Sequence, residues 1–297
     1  MRLTIAFVAA LWGAALAAQP APSRAKELVI RVDDIGMNHS VNMALAKEAA
    51  THMPLSASVM FACPWYQEAV EILRQNPQIS VGVHLVLNSE WKGYRWGPVL
   101  GARAVPSLVD SVGYFLPSSD EFLARPYDLG EVERELSAQV ERALKTGLKI
   151  DYVDYHMGTA VSTPQLRAVV ERVADKYHLG ISRYFGENYH TLFDTPIADK
   201  QRDLLTHAGA LAPGSLNLVV IHGAEFTPEM SVLVDMNNAD QNTATGEPLM
   251  ARHRQAELAA LLSPEFARLR DSAHVTLVNY RDVIAKQGRD GMRRPIQ

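Results

Sequence analysis

The sequence predicts one α/β domain, a distorted TIM-like (β/α) barrel spanning residues 27–297. Three observations lead there. Short β-branched runs alternate with amphipathic helical stretches, the pattern of βα units around a parallel sheet. The 297 residues are 47% hydrophobic, enough for one large core. Several strand-like runs end in carboxylate or imidazole side chains, and in such folds functional groups collect at strand C-terminal ends.

Residues 28–32, Leu-Val-Ile-Arg-Val, form the first strand and run into Asp33-Asp34. A helix is expected over 41–51, a second strand over 57–62 and a helix over 65–74, stopped near Asn76-Pro77. The third strand, 79–87, carries His84. Residues 88–126 are irregular and rich in Gly, Pro, Trp and Tyr. Loops this long are usually functional or disordered, and the aromatics argue against disorder. Over 129–146, Val132, Leu136, Val140 and Leu144 recur at i, i+4, and Gly147 ends the helix. Strand four, 150–153, leads into Asp154-Tyr155-His156. Ser162-Thr163-Pro164 opens a helix running to 177, and 179–182 reads as a fifth strand. Residues 188–198 give no clear pattern. A strand at 216–221 precedes a polar loop over 223–246 and a helix over 248–262. The last strand is 275–278, with a closing helix over 280–287.

The first 17 residues read as a signal peptide. Arg2 supplies the positive charge, 3–14 are apolar, and Ala15-Leu16-Ala17 is a small-x-small cleavage site. The apolar run is shorter than the ~20 residues that span a bilayer, so no stable membrane anchor is expected. Residues 18–26 then form a flexible leader, and the mature protein is expected to be secreted or periplasmic. A lone cysteine, Cys63, forms no internal disulfide and reads as a small apolar residue at a strand end. The net charge of −4 gives no basic surface for nucleic acid.

Carboxylates are rarely buried unless paired or bound to metal, so Asp33-Asp34 at the end of an apolar strand calls for chemistry. Asp34, His84 and His156 each close or follow an apolar run and together suit a divalent metal. Zinc is the first expectation, with Mg, Co, Ni or Mn as alternatives. A water on such a cation loses its proton far more readily, which points to a metal-dependent hydrolase. Asp33 beside it fits a general base, although either aspartate could instead cap the turn at Ile35-Gly36. His222 ends the apolar run 218–221 and is the best-placed general acid. Asp154, two residues before His156, reaches the same pocket and is counted with the substrate-binding residues; it holds a ligand imidazole by its second nitrogen or caps a turn. Arg183 either meets substrate oxygens or pairs with an acid. In the segment after His84, Trp91, Tyr94, Arg95 and Trp96 put aromatic faces beside hydrogen-bonding groups, a composition suited to a sugar pocket or to a loop pinned by its own aromatics.

These residues resemble the YdjC-like carbohydrate deacetylases. The similarity runs from about Leu28 to Ile284. It is carried by Val32-Asp33-Asp34-Ile35-Gly36 with Asn38 and Val41-Asn42, by Val81-Gly82-Val83-His84-Leu85, by Asp151 through His156, and more weakly by His222-Gly223. The resemblance implies a distorted barrel, a divalent metal on Asp34, His84 and His156, Asp33 as base, His222 as acid, and removal of acetyl from an N-acetylated sugar. The chain departs from the family pattern at Gly158, where many relatives have His, and at Gly223-Ala224, where many have Pro-Gly. The Trp- and Tyr-rich segment resembles a distinct secreted, polysaccharide-deacetylase-like branch. Two other readings stay open: a metal-dependent hydrolase acting on another acyl ester, amide or phosphoester, and a non-catalytic sugar-binding protein.

Overall fold

A computed structural model describes residues 25–237 and 249–295. The expected signal peptide, most of the leader, and the end of the polar loop with the start of the following helix lie outside the described residues. Among the described residues no helix is long and apolar enough to cross a membrane.

Among the described residues, ten strands and ten α-helices follow in chain order. β1 (Lys26–Ile35), α1 (His39–Ala49), β2 (Ser56–Val59), α2 (Tyr66–Gln75) and β3 (Ser80–Leu85) make the first βα units. Asn38 caps α1 by accepting the Val41 N–H, the usual way a short polar side chain satisfies a helix's free donors. An insert then carries β4 (Trp91–Lys92) and α3 (Ser119–Leu123). α4 (Leu129–Lys145), β5 (Ile150–Tyr155), α5 (Pro164–Lys176), β6 (Gly180–Ile181), β7 (Asn188–Thr191), α6 (Lys200–Gly209) and β8 (Leu216–Ile221) continue the alternation. A second insert holds α7 (Pro228–Ser231) and β9 (Val234–Asp235), before α8 (Leu249–Leu261), α9 (Pro264–Ser272), β10 (Val275–Val278) and α10 (Tyr280–Gln287).

The main sheet is parallel, in the order β6-β5-β3-β2-β1-β8-β7, and curls into an open half-barrel, the form taken by the distorted α/β barrel that the sequence predicted. β6 and β7 are its edges and do not pair with each other. The distortion sits at β1. One side of β1 pairs with β8, while the other is shared: β10 takes residues Lys26 to Val29, and β2 takes Arg31 onward.

Period-two alternation sorts the strand side chains. Leu28, Ile30, Val219 and Ile221 pack outward into the large core under the helices. Val29, Tyr152, Leu218 and Val220 point inward, where Tyr280 and Val283 of α10 join them. Gly82 makes room for this layer, since a Cβ there would lie 2.3 Å from the Tyr152 ring. Continuing the same inward series up the strands reaches Arg31 and Asp33, His84, Asp154 and His156, and His222.

Four helices escape sequence reading: the short α3 and α7 lie in segments read as irregular or loop, and α6 and α9 lie outside every expected helix. α6 buries only Lys200, Leu204 and Ala208, and α9 only Phe266, so neither shows a broad apolar stripe. The expected strand at 57–62 stops at Val59, and the expected continuation of β3 to 87 stops at Leu85. Past Leu85 the main-chain groups of Val86 bond instead to the buried Gln139 amide of α4, at 2.9 Å in both directions.

Candidate active site

Asp33 and Asp34 are adjacent on β1, so a regular strand would aim them to opposite faces. The backbone prevents this. Asp34 has φ +61°, and the β1–β2 register shifts between Val32 and Ile35. A left-handed turn is uncommon for a residue other than glycine and is found at functional sites. Here it brings both carboxylates to the same mouth of the barrel.

Asp34 Oδ1, His84 Nε2 and His156 Nδ1 form a nearly equilateral triangle. The two imidazole nitrogens lie 3.3 Å apart, and the carboxylate oxygen is 3.4 and 3.2 Å from them. Tetrahedral coordination with bonds of about 2.0–2.1 Å gives ligand–ligand edges of about 3.3 Å, so this spacing suits zinc. Each ring is held from behind. His84 Nδ1 lies 2.9 Å from Asp154 Oδ1, and His156 Nε2 lies 2.9 Å from Glu90 Oε2. That is the carboxylate–histidine support common behind metal-binding imidazoles. Asp34 Oδ1 is buried without a hydrogen-bond donor, while Oδ2 takes Arg254 Nη2 at 2.6 Å. The donor set therefore fits a divalent cation.

The electrostatics agree. Burial opposes the Asp34 charge, but Arg254 and the two imidazoles outweigh it and hold the carboxyl well below its usual range. Burial likewise disfavours charge on His84 and His156. Asp154 and Asp33 nevertheless raise His84 to about 9, and Glu90 and Asp34 raise His156 to about 10. Acid groups so dense around two imidazoles make a pocket that attracts cations.

Asp33 stands beside the triangle. Arg31 Nε donates to its Oδ1 at 2.7 Å and Nη2 to its Oδ2 at 2.6 Å, a bidentate clamp with Arg31 itself buried. Arg31 Nε also lies 3.1 Å from Asp154, so the guanidinium bridges the carboxylate beside the triangle and the one behind His84. His222 faces Asp33, with Nε2 4.0 Å from Oδ2. These groups line a cavity of about 450 Å³, whose walls include Trp91, Arg183, Tyr189 and Phe193.

The predicted substrate residues separate in space. Trp91 and Arg183 line the cavity. Arg183 has φ +71°, and its guanidinium lies 4.5 Å from the Tyr189 ring centre. Asp154 is fully buried behind His84 and is not among the cavity walls, which corrects its expected place with the substrate residues; its carboxylate lies 2.9 Å from His84 Nδ1 instead. Tyr94, Arg95 and Trp96 are not among the cavity walls, which corrects their expected place. The Tyr94 hydroxyl bonds the Met37 carbonyl, Arg95 bonds the Phe115 carbonyl and lies 3.3 Å from Asp110, and Trp96 Nε1 donates to the Asn88 carbonyl at 2.7 Å. They pin the insert, which is the alternative their composition allowed. Cys63 is fully buried, and burial pushes its thiol up, as suits an inert apolar residue.

Sequence reasoning missed Arg31, Glu90, Arg254 and Glu257, the last of which accepts the His222 main-chain N–H at 2.6 Å. Arg31 could have been found, because it shares the inward face of β1 with Asp33. Glu90 reaches the site because β4 and β9 pair antiparallel, Trp91 against Asp235, drawing the two inserts together over the barrel mouth. No local pattern marks Arg254 or Glu257, which sit on a helix far along the chain.

The chain matches the YdjC-like protein family over residues 27–272 and belongs to it. It is 26% identical over 265 residues to a Brevibacillus brevis protein named carbohydrate deacetylase, an alignment covering 86% of this chain and 99% of that one. A Thermus thermophilus protein of the same name is 31% identical over 271 residues, covering 83% and 90%. Among solved structures, an Enterococcus faecalis protein described as a candidate cellobiose-phosphate cleavage protein superposes with a TM-score of 0.66 at 25% identity, covering 87% of this chain and 99% of its own.

Proposed function

We propose that this protein is a metal-dependent carbohydrate deacetylase that hydrolyses the N-acetyl groups of amino-sugar oligo- or polysaccharides. The observation that carries the reading is the placement of two proton-handling groups, Asp33 and His222, around the Asp34–His84–His156 triangle. The names of the relatives point the same way.

A divalent cation held by Asp34, His84 and His156 would supply Lewis-acid polarisation of the acetyl carbonyl and a water of lowered pKa. Asp33 accepts the proton of the attacking water, its carboxylate oriented by the Arg31 clamp. His222, with Nε2 4.0 Å from Asp33 Oδ2, delivers a proton to the departing amine, which is a poor leaving group unless protonated. Trp91 offers an apolar wall beside the triangle, and Arg183 with Tyr189 offers a cation and a ring at the cavity edge. Export rests on the N-terminal 17 residues, and we place the enzyme outside the cytoplasm on that ground.

The test is acetate release from chitobiose, longer chitooligosaccharides and N-acetylglucosamine, using chelated protein with Zn, Co, Ni, Mn or Mg restored. Release that depends on added metal supports the reading and identifies the cation. Absence of release with every metal, while an ester or phosphoester is turned over, replaces it with another hydrolase on the same scaffold.

A further inference from the structure

Behind His222 lies an ion pair cut off from solvent. Lys200 of α6 and Glu257 of α8 are 0% and 1% exposed, with Nζ 3.0 Å from Oε1. Lysine and glutamate are seldom buried completely, and a buried pair is weak evidence of a contribution to stability, because desolvation offsets the attraction. This pair therefore calls for a reason beyond packing.

Its geometry supplies one. Glu257 Oε2 accepts the His222 main-chain N–H at 2.6 Å and lies 3.7 Å from His222 Nδ1. A single oxygen thus addresses both the backbone and the ring. Lys200 also donates to the carbonyls of Leu192 and Phe193, at 2.5 and 3.3 Å. Phe193 in turn meets the His222 ring edge-on, with centroids 5.4 Å apart. Lys200 therefore ties together two walls of the imidazole. With Nδ1 facing Glu257, the ring turns Nε2 toward Asp33 and the cavity.

The surrounding charges are few. Asp33 of β1 faces Nε2, and Glu257 faces Nδ1. Glu48 of α1 lies against Gly223, where a Cβ would come within 2.9 Å of its Oε1, and His253 of α8 feels both Lys200 and Glu257. Burial disfavours the Glu257 charge, but His222 and Lys200 hold its carboxyl down to about 2, so it faces the ring as an anion.

We propose that Glu257, anchored by Lys200, is the positioning residue for His222: it fixes the ring with Nε2 toward substrate and stabilises the imidazolium that donates to the leaving amine. This inference rests on the deacetylase reading. The proton moves from His222 Nε2 to the amine nitrogen as the C–N bond breaks, leaving a neutral ring whose Nδ1 still faces Glu257.

The test compares an amide with an ester whose leaving group needs no proton. Chitobiose and 4-nitrophenyl acetate are assayed with the metal-loaded wild type, His222→Ala, Glu257→Gln and the double variant Glu257→Gln/Lys200→Met. The double variant removes both buried charges, so it does not leave Lys200 unpaired. We expect both Glu257 variants to lose about 10–100-fold in kcat on chitobiose, part of the 10²–10⁴ that a general acid contributes, with KM within about twofold and ester hydrolysis within about threefold. His222→Ala should show the same split, larger. Equal losses on amide and ester in both Glu257 variants, or no loss on either, overturn the inference while His222→Ala still shows the split. Absence of the split in His222→Ala itself, or of chitobiose turnover by wild type, overturns the underlying reading, and the inference falls with it.

Discussion

Arg254 donates from Nη2 to Asp34 Oδ2 at 2.6 Å, across 220 positions of chain. The guanidinium is 3% exposed and stands 5.3 Å from the Trp91 ring centre. It fixes which oxygen of Asp34 faces the two imidazoles. Arg254→Met should therefore weaken zinc binding by about 10–100-fold, the usual cost of losing a group that orients a ligand. Competition against a chromogenic chelator measures it. An unchanged affinity would show that Asp34 orients itself.

Asp33 is clamped by Arg31 and is not part of the triangle. Asp33→Asn should leave metal affinity within about threefold and reduce kcat by about 10²–10⁴-fold, the range for loss of a general base. Near-normal turnover by the variant would remove Asp33 from that role.

Glu48 should control the alkaline side of the stability profile. Burial, with Glu257 nearby, raises its carboxyl from 4.5 to about 8. A raised folded-state pKa means that its contribution to stability is complete below about pH 4.5 and is lost as pH rises through 8. Glu257, lowered from 4.5 to about 2, acts in the opposite sense: its contribution is present above 4.5 and is lost as pH falls toward 2. Glu48→Gln keeps the volume without the titration. Urea unfolding should find the variant more stable than wild type at pH 9, by at most about 5 kcal/mol at 1.36 kcal/mol per unit, and nearly equal to it at pH 5. Parallel profiles for the two proteins would contradict this.

Glu135 of α4 is fully buried and accepts the N–H groups of Val99 and Leu100 at 2.9 and 3.1 Å. It anchors the insert that delivers Glu90 and Trp91 to the site. Glu135→Ala should cost about 1–3 kcal/mol, the penalty for leaving buried donors without partners. Thermal unfolding reads the loss, and cleavage by a protease within residues 93–118 should accelerate. Resistance equal to wild type would mean that the aromatics hold the insert unaided.

Expression with the native N-terminus in a bacterial host should yield a processed chain beginning near Ala18. Mass spectrometry of the periplasmic or medium fraction checks it, and an intact Met1 on a soluble cytoplasmic chain would count against export.

The residues of the Asp34–His84–His156 triangle were legible as candidates because strands advertise themselves. Short runs of mostly apolar strand residues lead into Asp33-Asp34, His84, Asp154-Tyr155-His156 and His222, and the pleat assigns these positions to one mouth of the barrel. The aromatic insert misled by composition. Tyr94, Arg95 and Trp96 have the makeup of a sugar platform, yet their polar atoms satisfy main-chain carbonyls of Met37, Phe115 and Asn88. A long loop must bond its own backbone, and that demand carries no distinct sequence signal.

The sequence by itself determined the parallel α/β barrel and the residues that meet at its mouth, because hydrophobic periodicity and strand endings are local properties of the chain. Only the tertiary structure decided how those residues are held. The left-handed turn at Asp34 depends on the register of β1 against β2. Glu90 reaches His156 through the β4–β9 ribbon, and Arg254 and Glu257 reach Asp34 and His222 from α8. Such partners are chosen by strand order and helix placement, so their identity appears only when segments far apart in sequence are packed against one another.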